Sequence, residues 1–136
     1  MRKAFLTALG AALLAVACSD PTAPPPPTLA PPTITETFSG TLGVQSNNVH
    51  RFTVQQPGGL KVTVTSVDPS AAVGIGVGTP STATGTCSLL SSIPTVAGPA
   101  VQLDGNATVS GNFCVAVFDA GNLVESVTYT VVVLHS

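Results

Sequence analysis

Along most of this chain, apolar side chains recur at every second position. Phe52 and Val54 alternate with Arg51, Thr53 and Gln55, and Leu60, Val62 and Val64 alternate with Lys61, Thr63 and Thr65. Near the end, Val127, Tyr129, Val131 and Val133 alternate with Thr128 and Thr130. Successive side chains of a strand point to opposite faces, so a period of two rich in Val and Thr predicts half-buried strands. The pattern places strands near 35–43, 48–55, 60–67, 72–79, 85–90, 99–104, 106–110 with 112–119, and 125–135. Turn residues fall between them. Gln56-Pro57-Gly58-Gly59, Asp104-Gly105-Asn106 and Ala120-Gly121-Asn122 read as hairpin turns, and Ser46-Asn47-Asn48 as an earlier turn. No stretch between Ile34 and Ser136 carries a helical period. The expected fold class is all-β, a single antiparallel β-sandwich over residues 34–136. Val131-Val132-Val133-Leu134 is apolar on both faces, which predicts a central or covered strand.

Two stretches break the simple alternation. Val73-Gly74-Ile75-Gly76-Val77-Gly78 puts glycine at every second position. Its Val and Ile side chains can face the core while glycine on the other face admits a close neighbour or marks a bulge. The same glycines without a following Lys and helix do not make a phosphate-cradling loop. Thr79 to Gly98 is long and rich in small residues, and it predicts an irregular loop of the kind that carries binding function.

The front of the chain has a different pattern. Arg2 and Lys3 precede an apolar run from Ala4 to Ala17, broken only by Thr7 and Gly10. The run is shorter than the roughly 20 apolar residues that span a bilayer, and with small residues at its end it reads as a secretory signal peptide over 1–17. Ala15-Val16-Ala17-Cys18 resembles the bacterial lipobox, whose usual form is Leu-Ala-Gly-Cys; here Ala15 stands where Leu is commonest. The resemblance implies that Cys18 is lipidated and becomes the mature N-terminus. Two or three hydrocarbon chains there would hold the protein stably to a membrane. Ser19 follows, where Asp would resemble an inner-membrane retention signal, so the outer membrane is expected. Residues 18–33 then form a linker. Seven prolines between Asp20 and Thr33 remove N–H donors and lock φ, so an extended polyproline II spacer is expected.

Composition narrows the partners. Removal of 1–17 takes away Arg2 and Lys3, which leaves Arg51 and Lys61 against six acids and a formal charge of −4. With no basic patch, no nucleic-acid partner is expected. Only 7% of residues are charged, so Thr, Ser, Asn and Gln must solvate the surface. No cofactor is expected, and a monomer is. Setting Cys18 aside leaves Cys87 and Cys114, and an even pair in an exported chain reads as a disulfide. A cysteine pair offers too few ligands for a metal site, and no His lies close to it in sequence.

Several strand motifs follow one another in a recognisable order. Thr37-Phe38-Ser39-Gly40-Thr41-Leu42, Arg51-Phe52-Thr53-Val54 and Gly59-Leu60-Lys61-Val62-Thr63-Val64-Thr65 look like the opening of the bacterial pre-peptidase C-terminal domain family. Gly111-Asn112-Phe113-Cys114-Val115-Ala116-Val117 resembles its Gly-x-Tyr-x-Val-x-Val strand, with Phe113 in the Tyr position. Tyr129-Thr130-Val131-Val132-Val133 resembles its closing strand. The resemblance implies a jelly-roll-like β-sandwich, non-catalytic and usually appended to exported enzymes, some relatives binding matrix proteins or calcium. No enzyme domain is expected beside it in these residues.

Catalytic chemistry has little to work with. His50 and His135 are the only histidines, and both are expected at the surface. There is no Gly-x-Ser-x-Gly elbow. Asp68, Asp104, Asp119 and Glu125 fall near turns, and several of them at one sandwich end could offer oxygens to Ca²⁺. Without Trp and with Tyr129 in a core pattern, a sugar-stacking platform is disfavoured. The expected function is a membrane-anchored, non-catalytic interaction or structural module for a protein or envelope partner. The alternative is a carbohydrate- or calcium-dependent adhesion module.

Overall fold

The computed structural model describes residues 24–136. The expected signal peptide (1–17) and Cys18 lie outside the described residues. Residues 24–33 are exposed and carry neither helix nor strand. No helix among the described residues is long and apolar enough to cross a membrane.

Eight strands follow: β1 (Ile34–Leu42), β2 (Asn47–Val54), β3 (Gly58–Asp68), β4 (Val73–Pro80), β5 (Cys87–Thr95), β6 (Leu103–Ala107), β7 (Gly111–Phe118) and β8 (Val127–His135). They form two antiparallel four-stranded sheets, ordered β1-β8-β3-β6 and β2-β7-β4-β5. The first strand pairs with the last, the second with the seventh, the third with the sixth and the fourth with the fifth. One long nested hairpin has rolled up, and the extra pairs β3–β8 and β4–β7 close the roll. This is the strand order of a jelly roll, the architecture expected from the sequence. β8 lies between β1 and β3, so the doubly apolar strand is central.

The core is the inner face of each sheet. Val127, Tyr129, Val131 and Val133 of β8 meet Phe52, Val54, Ile75, Phe113, Val115 and Val117 of the facing sheet. Val73 and Ile75 are fully buried, as their alternation requires. One irregularity resets the pattern in β3. The register slips between Val64 and Ser66, so Val67 rather than Ser66 turns inward.

Several local expectations are corrected. Gln56-Pro57-Gly58-Gly59 is not a hairpin turn, because β2 and β3 belong to different sheets and the chain arches between them. There the Gln55 N–H donates to the Ser136 carbonyl at 2.9 Å. Asp104-Gly105-Asn106 is not a turn either. It is the middle of β6, opposite Gly59, Leu60 and Lys61, with Leu103 and Ala107 buried on its inner face. Residues 99–102 and 108–110 are not strand. The β1–β2 turn is centred on Val44 and Gln45, just before the Ser46-Asn47-Asn48 expected; Gln45 takes a φ of 56°. Most of Thr79 to Gly98 is regular. β5 pairs with β4 as far as Thr95 and forms a sheet edge.

Candidate functional site

The sequence-predicted pair Cys87 and Cys114 forms a disulfide. Its placement needs explanation. β5 and β7 both flank β4, so their α-carbons should stand about 9–10 Å apart, twice the strand spacing. At the disulfide they are 5.9 Å apart. The early part of β5 therefore curls over the outer face of the sheet. Gly78 makes this possible: a Cβ built there would overlap the carbonyl oxygen of Ser88. An extra residue, Leu90, bulges out of β5 between the partners of Val77 and Gly78 and lets the strand bend. Arg51 on β2 reaches the same loop, its Nη2 donating to the Ser81 carbonyl at 3.4 Å.

The other two glycines of β4 are covered by side chains. A Cβ on Gly74 would strike the Phe118 ring, and one on Gly76 would meet both δ-methyls of Leu89 at 2.9 Å. Between the curled β5 and Phe118 the outer face forms a groove of about 470 Å³. Val49, Ala116, Phe118, Leu89 and Cys87 give it apolar surface, and Gln45, Asn47 and Thr86 give it polar rim. This groove was not expected from the sequence. Its signals were the glycine alternation of β4 and the outward set Cys114, Ala116 and Phe118.

The one charged group at the groove is Asp119, and its carboxylate is held by four backbone N–H groups. Oδ1 accepts the N–H groups of Gly121, Asn122 and Leu123 at 2.8, 3.1 and 3.2 Å, and Oδ2 accepts that of Gln45 at 2.8 Å. These bonds, led by the one from Gln45, hold the carboxyl below the ordinary carboxylate range. Asp119 thus ties the β7–β8 turn to the β1–β2 turn. Asp104 is elsewhere, 3.6 Å from Lys61 across β3 and β6. Among the described residues no three His, Cys, Asp or Glu side chains stand together as a metal site.

Both histidines depart from the surface placement expected. His50 shares the inner face of β2 with Phe52 and Val54, a position its alternation with them implied. Its ring stacks on Phe38 with centroids 4.9 Å apart, and its Nε2 lies 2.6 Å from the Tyr129 hydroxyl. Gly40 faces Tyr129 in the register and leaves room for that hydroxyl, since a Cβ there would come within 2.7 Å of it. His135 continues the inward series of β8 and is 1% exposed. Its Nε2 is 2.9 Å from Glu36 Oε1 and its Nδ1 3.2 Å from the Ser136 carbonyl. Each histidine is committed to a neighbour within the sandwich, and neither faces the groove.

Burial of His50 and Tyr129 makes stability depend on pH at both ends. Burial lowers the His50 pKa below 6.5 and raises that of Tyr129 above 10.0. The unfolded chain protonates His50 first as pH falls through about 6.5, so folding stability declines from there down to the folded-state pKa. The unfolded chain also ionises Tyr129 first, so stability declines again as pH rises above about 10. Thermal midpoints should be flat between these limits, and His50→Gln should flatten the decline between pH 7 and 5. Equal acid limbs for the wild-type chain and the variant would remove His50 as the cause.

Searched against protein-family models the chain matches none, and no curated protein matches its sequence.

Proposed function

We propose that this chain is an exported lipoprotein, held at a membrane through Cys18, whose β-sandwich binds a protein or envelope partner without catalysis. The observation that carries the reading is the groove between β2, β7 and the curled start of β5. It combines an apolar floor with an uncharged amide and hydroxyl rim, and its single carboxylate is tied up in turn structure by four backbone N–H groups. Such a surface offers contact area and hydrogen bonds but no general base or nucleophile. Gln45, Ser46, Asp119 and Gly121 belong to turns at the end of the sandwich opposite Ile34. A tether entering at Ile34 would leave that end pointing away from the lipid. The ordered resemblance to the pre-peptidase C-terminal family supports the same non-catalytic role.

Two measurements test this. Mass spectrometry of the mature N-terminus should find acylated Cys18, and an unmodified first residue removes the lipoprotein reading. A photo-crosslinking residue at Asn47, in the groove, should capture one defined partner in intact envelopes, and the same residue at Thr37, on the opposite sheet, should not. Filling the groove with Ala116→Leu should abolish the Asn47 adduct without lowering the melting temperature. Identical adduct patterns from the two positions would refute the groove as the binding surface.

A further inference from the structure

The turn expected at Asp104-Gly105-Asn106 is the middle of β6, and being a strand it sorts its side chains between two faces. Leu103 and Ala107 go to the core. Asp104, Asn106 and Thr108, the last just past the end of the strand, go outward, and all three are exposed. Acid, Asn and hydroxyl residue at every second place is also a chemical pattern. Asn-x-Thr with a middle residue other than Pro is the acceptor pattern for an N-linked sugar, and a carboxylate two residues before the Asn is its bacterial form. Asn47, Asn48, Asn112 and Asn122 have no Ser or Thr two places on.

The fold leaves Asn106 room. Its partner in β3 is Gly59, and residues opposite one another share a face. A Cβ on Gly59 would meet no atom within 4 Å, so the space beside Asn106 is open. β6 is the edge of its sheet, and no strand among the described residues pairs on its other side. Other asparagines spend their amides inside the fold. Asn48 donates to the Thr41 carbonyl, Asn112 accepts from the Thr53 hydroxyl, and Asn122 donates to the Ala72 carbonyl. Among the described residues the Asn106 amide has no such partner. Asp104 faces only Lys61, at 3.6 Å and with both side chains largely in solvent.

We propose that Asn106 is the attachment site of an N-linked glycan, transferred during export from an oligosaccharide carried on a polyprenyl pyrophosphate. Asn106 Nδ2 forms a bond to the anomeric carbon of the first sugar. The bond from that carbon to the pyrophosphate oxygen breaks, and the proton lost by the amide neutralises the departing pyrophosphate. Nothing is oxidised or reduced. Attachment requires export, as in the reading above, and is independent of the groove, which lies on the other sheet. The glycan would supply what this surface lacks. Only 7% of residues are charged, and sugar hydroxyls add solvation. Bulk on an open edge strand also blocks pairing with a strand of another chain. Leu90, 73% exposed, lines the same opening between β5 and β6 as Asn106 and would be shielded with it.

The test is mass spectrometry of the chain purified from the membranes of the cells that make it. Cleavage before Asp104 and Asp119 releases peptide 104–118. That peptide should carry a mass increase made of whole sugar residues, with fragment ions that place it on Asn106. Asn106→Gln, Thr108→Val and Asp104→Ala should each remove the increase from the intact chain, whereas Asn112→Gln, in the same peptide, should keep it. The N-terminus of each chain, read in the same sample, reports export separately. A chain that has lost residues 1–17 and carries a bare Asn106 overturns the proposal and leaves the exported reading standing. A bare chain that keeps residues 1–17 overturns both. A sugar that survives any of the three substitutions also overturns the proposal, because attachment then does not follow the acid, Asn and hydroxyl pattern.

Discussion

Replacing Cys87 and Cys114 together with alanine is expected to destabilise the fold by about 3–4 kcal/mol and to release β5 before any other strand. The bond closes a separation of 27 residues, and the chain-entropy relation for that loop gives the magnitude. The location follows from the sheet. β5 is an edge strand paired only with β4, and its early part, still in register with Gly78, Thr79 and Pro80, is drawn across the outer face toward β7. Cys114 is anchored in β7, fully buried between β2 and β4. Breaking the bond therefore frees the weakly held partner. Hydrogen exchange should show protection falling over 81–95 while β3, β7 and β8 keep theirs, and the denaturant midpoint should drop. Uniform loss across both sheets, or no loss over β5, would contradict the assignment. The groove should respond too, since the curl of β5 forms one of its walls.

What the sequence revealed depended on whether a residue's position is decided by its near neighbours. The alternation in β2, β3, β7 and β8 is strictly local, and it located those strands and the face of each residue. His50 and His135, expected at the surface from their polar chemistry and positions, lie on inner faces instead, where the alternation with their neighbours carries them. Turn chemistry was less reliable. Ala120-Gly121-Asn122 is a turn, with Gly121 at φ 94° and Asp119 receiving its N–H groups. Asp104-Gly105-Asn106 has the same flavour of residues and is a strand, because β3 offers it a pairing edge and Lys61 a counter-charge. Gln56-Pro57-Gly58-Gly59 turns the chain between sheets rather than within one, a difference of topology that four residues cannot encode. β5 was legible only in part, expected near 85–90 where the strand runs from Cys87 to Thr95, because its bulge and its curl interrupt the period of two. The groove was hidden for the same reason: it exists only where β5 leaves the plane of its sheet, and that depends on Gly78, Leu90 and Cys114 acting together.

Gly78→Ala is expected to cost about 3 kcal/mol, the upper part of the usual range for overpacking. The added methyl would meet the backbone of Ser88 and Leu89, and backbone cannot rotate aside as a side chain can. Relief requires β5 to lift off the face, which the Cys87–Cys114 bond opposes. The cost should therefore depend on that bond. In a chain with both cysteines replaced by alanine, β5 can move, and the same substitution should cost about 1 kcal/mol or less, a non-additivity expected of residues that share one backbone shift. Gly59→Ala and Gly105→Ala provide the comparison. Neither would meet any atom within 4 Å and neither has positive φ, so each should change stability by at most about 0.5 kcal/mol. Urea midpoints for Gly78→Ala, the double cysteine variant, their combination and the two glycine comparisons settle the matter. An equal cost for Gly78→Ala with and without the disulfide would mean that β5 is held over the sheet by something other than the bond.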